Sequence, residues 1–62
     1  MWVFESDGAT FLVGDRVVIT TKKKEILGKI CIIDNNSLNL SCGDGFVAVK
    51  VKDVVNMRFY GG

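Results

Sequence analysis

The sequence predicts an all-β domain, a small barrel of about five to seven short antiparallel strands with an N-terminal hairpin. Three observations support this prediction. No segment has the apolar spacing of a helix. Short alternating apolar segments are separated by turn residues at intervals of about eight to twelve positions, as in sandwiches and barrels. An isolated glycine, Gly28, interrupts a long apolar segment, where glycine usually marks a bulge, a sharp bend or a close backbone approach.

The N-terminal segment predicts a β-hairpin. Its strands are Trp2–Ser6 and Ala9–Val13, and Asp7-Gly8 between them is the strongest two-residue hairpin signal. We therefore treat the chain as a single domain over residues 1–62, with the hairpin in 1–13 and the barrel in 14–60.

The middle of the chain predicts two strands joined by a charged turn. The segment Arg16–Thr21 alternates in polarity, and Lys22-Lys23-Lys24-Glu25 forms the turn. The next strand, Ile26–Asp34, contains Gly28. A strand that bends strongly at this glycine favours a barrel.

The polar segment Asp34–Ser37 predicts the next turn, because Asx side chains bond their own backbone and tolerate left-handed geometry. A two-residue loop places Leu38 opposite Ile33, and a loop one residue longer places Leu40 opposite Ile32. The sequence leaves both registers open, and both bury Leu38 and Leu40.

The C-terminal third predicts another hairpin and a final strand. The turn Gly43-Asp44-Gly45 leads into Phe46–Val51, in which the valines face one way and Phe46, Ala48 and Lys50 the other. The spacing of Val54, Met57 and Phe59 then predicts a single helical turn that enters the last strand.

The composition predicts that the chain associates with other copies of itself or with another protein. The chain has 62 residues, 48% of them apolar, a mean hydropathy of +0.30 and a net charge of +1. A domain of this size buries only about 60% of the surface of its unfolded chain. The excess of apolar residues predicts a homo-oligomer or a protein partner.

Catalytic, metal and membrane functions have no support in the sequence. Two cysteines and no histidine exclude the common four-ligand zinc sites from one chain. Cys31 is expected to be a buried free thiol, which suits the cytoplasm. No apolar segment approaches the length of about 18 residues that a membrane span needs. We predict a protein that is not an enzyme, with no cofactor, metal, membrane partner or small-molecule substrate.

Basic and aromatic residues near the C-terminus form a candidate nucleic-acid surface. Phe46, Lys50 and Lys52 lie toward one side of a predicted strand, and Arg58 and Tyr60 share a face of the last strand. If these two faces adjoin, the rings and cations form a platform for single-stranded nucleic acid. The other interpretation is a solvated outer face.

Trp2 and Phe4 form a candidate protein interface. They alternate along one side of the first predicted strand, where they either cover the core or remain exposed to a partner. The sequence does not choose between these two roles.

From Gly14 to Phe59 the chain resembles the Sm-like branch of the SH3-like β-barrels. The resemblance rests on the bent strand with its internal glycine, followed by Ile33-Asp34 and Leu38-Asn39-Leu40. It implies that Asp34 and Asn39 shape a loop that receives an RNA base. Their spacing is one residue longer than in the Sm motif, and Val-Lys-Asp replaces the Arg-Gly pair of the second motif.

Two further similarities concern the ends of the chain. The segment Lys52–Met57 resembles bacterial Sm-like proteins in which a short Asp-Val turn precedes the last strand. A second resemblance is to the carbon-storage regulator family of RNA-binding dimers, on the opening Met-Trp-Val, the strand from Ala9 and the later Lys52-Asp53-Val54. The sequence therefore predicts a binding module that acts through protein contacts or self-association, with nucleic acid as the alternative partner.

Overall fold

The chain folds into seven β-strands and a single turn of 3-10 helix. The structure, a computed structural model, describes residues 3–6 and 8–61. The elements are β1 (Val3–Ser6), β2 (Ala9–Leu12), β3 (Arg16–Thr21), β4 (Glu25–Ile33), β5 (Ser37–Cys42), β6 (Gly45–Lys50), the 3-10 turn (Val51–Asp53) and β7 (Val54–Phe59).

The strands form two antiparallel sheets. One is the β1–β2 hairpin, and the other has the order β6-β5-β4-β3-β7. The all-β class, the number of strands and the N-terminal hairpin are thus confirmed; of the hairpin turn, Asp7 lies outside the described residues. A closed barrel is not formed in the described part of the chain, because no ladder joins β6 to β7. Residues 47–50 of β6 instead border a groove of about 380 Å³ beside the turn that follows β3.

The five-stranded sheet curls around one apolar core that the hairpin also enters. The molecule measures 28 × 24 × 24 Å. Phe11 is the buried contribution of the hairpin, and the sheet supplies the rest of the cluster. These residues are Val17, Ile19, Ile26, Ile30, Ile33, Leu38, Leu40, Val49 and Met57.

Strand β4 contains both a close approach and a bulge, at different residues. A Cβ atom on Gly28 would lie 2.9 Å from the Ser41 carbonyl oxygen, so β5 approaches the strand closely there. The register shifts between Ile30 and Ile32, which leaves Cys31 as the bulged residue. The shift lets Ile30 and Ile33 both face the core, although three positions separate them.

The bulge corrects the expectation for Cys31. The thiol is free, but the residue is only half-buried, because a bulged residue leaves the regular alternation of the strand. Its Sγ lies 3.6 Å from the Lys29 carbonyl oxygen.

The turn between β4 and β5 settles the register that the sequence left open. Ile33 lies opposite Leu38, and the Asp34 N–H donates to the Ser37 carbonyl 2.9 Å away. This is the register with the two-residue loop. Leu38 and Leu40 are both fully buried, as predicted.

The C-terminal elements follow the prediction. Cys42 lies opposite Gly45, so Gly43 and Asp44 form a two-residue turn, and Gly43 has a φ of 56°. The 3-10 turn precedes β7, whose register shifts where it pairs with the end of β3. Val55 is the additional residue at that shift, and it is 57% exposed.

Candidate functional site

The pairing of β6 with β5 determines which backbone groups of β6 are left unpaired at the edge of the sheet. The two-residue turn makes Cys42 and Gly45 a hydrogen-bonded pair, and hydrogen-bonded and non-hydrogen-bonded pairs then alternate along the ladder. The next member of the ladder, the Val51 N–H, donates to the Asn36 carbonyl at 2.9 Å, in agreement with this alternation. Phe46 and Ala48 therefore direct their backbone N–H and C=O groups away from β5. Lys50 directs its N–H the same way, whereas its C=O begins the 3-10 turn.

A groove lies along this free edge. On one side are Val47–Lys50, and on the other is the turn of Thr21–Lys24, with Ile26 at the base. Successive residues of a strand point to opposite faces, so four consecutive residues of β6 border one groove only where the strand presents its edge. The groove is thus an opening in the curled sheet beside unpaired backbone.

Thr21 holds the lysine turn in a defined conformation. Its hydroxyl accepts hydrogen bonds from the N–H groups of Lys23 (3.3 Å) and Lys24 (3.1 Å). It also lies 3.0 Å from the Lys24 carbonyl, to which it donates. The Thr21 N–H closes the turn on the same carbonyl at 2.8 Å. The lysine side chains thus extend from a turn whose backbone is fixed.

The predicted nucleic-acid residues are exposed. Lys52 lies in the 3-10 turn, and the other four lie on the face of the large sheet that points away from the core, which we call the outer face. Phe46 and Lys50 belong to β6, and Arg58 and Tyr60 belong to β7 or follow it directly. These two strands are the opposite edges of the sheet, so the two groups do not adjoin along it. Arg58 is also paired, with its Nη2 3.6 Å from Glu25 Oε2.

A row of residues crosses the outer face between Phe46 and Tyr60. Phe46 lies opposite Ser41, Ser41 opposite Lys29, and Lys29 opposite Arg16. The Tyr60 N–H donates to the Arg16 carbonyl at 2.9 Å, which places Tyr60 at the other end. We call these five residues the outer row. It carries two basic side chains and no carboxylate, with an aromatic ring at each end.

Sequence reasoning did not select Arg16 and Lys29. Their positions in β3 and β4 look like ordinary solvent-facing alternation. They become neighbours only through the register of these strands, in which Arg16 is opposite Lys29. No signal in the sequence alone gives the strand order that brings them between Phe46 and Tyr60.

Of the two residues implied by the Sm-like resemblance, Asp34 lies in a turn at one end of the large sheet and Asn39 lies within β5. Asp34 begins the turn after β4, and Lys50 lies opposite Ser37 at the end of that turn. A depression of about 580 Å³ is lined by Asn35, Asn36, Ser37, Lys50, Val51 and Lys52. Asn39 is half-buried on the outer face opposite Ala48 and does not line this depression.

Of the predicted N-terminal interface, the structure describes Phe4. Phe4 is half-buried opposite Phe11 and packs against the core cluster. Trp2 lies outside the described residues. On the other side of the hairpin, Val3 and Leu12 are exposed opposite each other. Phe4 thus covers the core.

Metal ligands do not cluster in the described part of the chain. No group of three or more His, Cys, Asp and Glu side chains is close enough there to hold a metal ion. Within the same residues, no helix has the length and apolar character needed to cross a membrane.

Comparison with known proteins finds no protein-family model, curated protein or solved structure that matches this chain.

Proposed function

We propose that this protein is a small non-enzymatic binding module that acts through protein–protein contacts, self-association included, at the free edge of β6. A strand of another chain adds to this edge through backbone hydrogen bonds. Recognition by addition of a strand to a sheet edge is a common mode of peptide and protein binding.

The observation that carries the proposal is the lack of protection on β6. Proteins usually protect an edge strand with charged side chains, proline or a bulge. The segment Gly45–Val49 has none of these, and its first charge is Lys50 at the end of the strand. The other edge, β7, contains the irregularity at Val55 and the charged Arg58. Because β6 lacks the protection that the opposite edge has, it is favoured as the contact strand.

Exposed apolar side chains support the same proposal. Phe46 in β6 is 77% exposed, and Leu27 and Ile32 on β4 are about half exposed. Where exposed apolar side chains form a contiguous patch, they mark a surface that another protein covers. A chain of 62 residues buries little apolar surface on folding, and a partner that covers these side chains would add to the buried area.

The proposed architecture is an open form of the small SH3-like, Sm-like barrel. Support comes from the strongly curled five-stranded antiparallel sheet and from the 3-10 turn that precedes the last strand. The N-terminal hairpin is an addition to this plan.

A pair of variants at one position tests the function. Ala48→Pro removes an N–H that points away from β5, whereas Ala48→Val keeps this N–H and suits a strand. We expect the native chain and Ala48→Val to enrich peptides from a displayed random library, or to have a native mass above the 6.8 kDa of one chain. Ala48→Pro should lose both properties without loss of the folded far-UV circular dichroism spectrum.

The proposal is wrong if the native chain stays at 6.8 kDa at every concentration and enriches no peptide that Ala48→Pro fails to enrich.

A second candidate function is binding of single-stranded nucleic acid on the outer face. The observation in its favour is the outer row, in which Arg16 and Lys29 lie between two exposed aromatic residues. Cations contact phosphates, and aromatic rings stack on bases, each stack contributing about 1 to 3 kcal/mol. Lys50 and Lys52, beside the Asn35-Asn36 turn at the other end of β6, provide further positive charge.

Salt dependence tests this second candidate. We expect a labelled single-stranded RNA to bind with an affinity that falls as salt rises from about 50 to 200 mM. Arg16→Gln with Lys29→Gln should reduce the slope of log K against log salt by about 0.7 for each lost phosphate contact. Lys22→Gln with Lys23→Gln makes the same change of charge away from the row and should preserve most of the binding. Absence of binding, or equal effects of the two pairs, would rule out the row as the site.

A further inference from the structure

The groove beside β6 has a strongly asymmetric charge. Its border includes Lys22, Lys23, Lys24 and Lys50 and a single carboxylate, that of Asp53. These lysines are four of the eight basic residues in a chain whose net charge is only +1. Within the described residues, none of the four forms an ion pair, since the ion pair there joins Arg58 to Glu25.

The base of the same groove is apolar. Ile26 and Val49 are buried members of the core, and Val47 packs against that core. An added strand next to β6 would therefore place alternate side chains on an apolar base and the others toward the lysines. The groove fits a segment in which apolar and acidic residues alternate.

We infer that the groove receives an extended acidic segment of a partner protein, which pairs with the outward N–H and C=O groups of Ala48 and the outward N–H of Lys50 and places its carboxylates among the four lysines. This inference rests on the proposed function and names the chemistry of the partner at that same edge.

Two observations favour an acidic protein segment over other occupants. No aromatic side chain borders the groove, so nucleic-acid bases would find no ring to stack on. A second copy that paired symmetrically through its own β6 would bring a second set of the same lysines to the interface, and like charges in close contact oppose association. An acidic strand would pair with the free backbone groups of β6 and also place opposite charge next to the lysines.

The probe for this inference is a fluorescent peptide of about eight residues in which Glu and Val alternate, the length of an ordinary strand. Its binding to the full chain is followed by fluorescence polarisation. The matched peptides replace each Glu by Lys, or replace two Val by Pro at unchanged charge. We expect the Glu-Val peptide to bind, more weakly as salt rises, and both matched peptides to fail.

Two pairs of variants locate the site. Lys22→Gln with Lys24→Gln should weaken binding of the Glu-Val peptide by about tenfold, because two exposed ion pairs are lost. Lys29→Gln with Lys52→Gln changes the net charge equally outside the groove and should leave the affinity within about threefold of the native value. Ala48→Pro should abolish binding, and Ala48→Val should preserve it.

The outcomes separate the inference from the function on which it rests. If β6 binds library peptides without acidic preference, or self-associates in a way that Ala48→Pro prevents, the function stands and the acidic partner is wrong. If the Glu-Val peptide binds but the two lysine pairs weaken it equally, the groove is not its site. If single-stranded RNA displaces the peptide and requires Lys22 and Lys24, the groove is a nucleic-acid site and the inference is overturned. If the protein remains a monomer and binds no peptide, both are wrong.

Discussion

Gly28 shows how one residue can set the packing of two strands. A Cβ atom at this position would lie 2.8 Å from Cys42 Sγ, 2.9 Å from the Ser41 carbonyl oxygen and 3.1 Å from Leu40 Cβ. The carbonyl belongs to the backbone of β5 and cannot rotate away. Only glycine lets β4 and β5 approach this closely, so the residue is required by space and not by an unusual φ.

We predict that Gly28→Ala lowers the free energy of unfolding by about 1 to 3 kcal/mol, because a methyl group has to displace packed atoms. Gly45→Ala is the matched control, since no atom lies within 4 Å of its added Cβ. That change should leave stability unchanged or raise it by up to about 1 kcal/mol. Urea unfolding of the two variants measures both effects, and equal midpoints would contradict the packing account.

The sequence predicted part of what happens around Gly28. An isolated glycine in a strand indicates a bulge, a bend or a close approach, and the structure selects the close approach. The bulge itself is at Cys31, which the sequence treated as an ordinary buried position. A bulge depends on how the partner strand aligns, and an apolar run such as Ile30–Ile33 gives no local sign of it.

At the scale of elements, the N-terminal hairpin is part of the core. Phe11 is fully buried, and its ring centroid lies 4.6 Å from that of Phe59 on β7. The connection to β3 is also fixed: the Gly14 N–H donates to the Ile30 carbonyl, and the Ile30 N–H donates to the Asp15 carbonyl. The Asp15 carboxylate accepts a hydrogen bond from the Leu12 N–H at 2.9 Å. The hairpin is thus held on the large sheet by Phe11 in the core and by these hydrogen bonds.

We predict that Phe11→Ala lowers the free energy of unfolding by about 3 to 5 kcal/mol, the usual cost of truncating a buried phenylalanine. Phe46→Ala removes an exposed ring of the same size and should change stability by about 0.5 kcal/mol or less. Denaturant unfolding compares the two, and Phe11→Leu retains enough volume to be measured if Phe11→Ala does not fold. Equal stabilities of Phe11→Ala and Phe46→Ala would show that the hairpin only rests on the surface.

The turns and strands could be predicted from the sequence, but the order in which the strands lie side by side in the sheet could not. Gly8, described at a φ of 81°, and the Asp34–Ser37 turn are local features with local causes. The order β6-β5-β4-β3-β7 results from packing of the whole chain, and so does the outer row. Arg58 was therefore predicted as a site residue, although it pairs with Glu25, and Arg16 and Lys29 were not predicted.

At the scale of the whole molecule, the open sheet is the feature with the largest consequence. The sequence predicted a barrel because a bent strand suggests closure, yet β6 and β7 remain edges. Closure depends on the curvature of all five strands together, which no single segment encodes. The opening leaves the backbone of β6 free beside a lysine-bordered groove.

The most direct measurement of the central claim is amide hydrogen exchange at two neighbouring residues of β6. The account predicts that the Val49 amide, paired with β5, exchanges slowly, whereas the Ala48 amide exchanges fast in the dilute protein alone. When the protein is concentrated, or when a peptide that binds it is added, the Ala48 amide should become protected from exchange, while the Val49 amide changes little. Protection of Ala48 already in the dilute protein, or fast exchange of Ala48 under every condition, would contradict the claim that β6 is a free edge that accepts a strand.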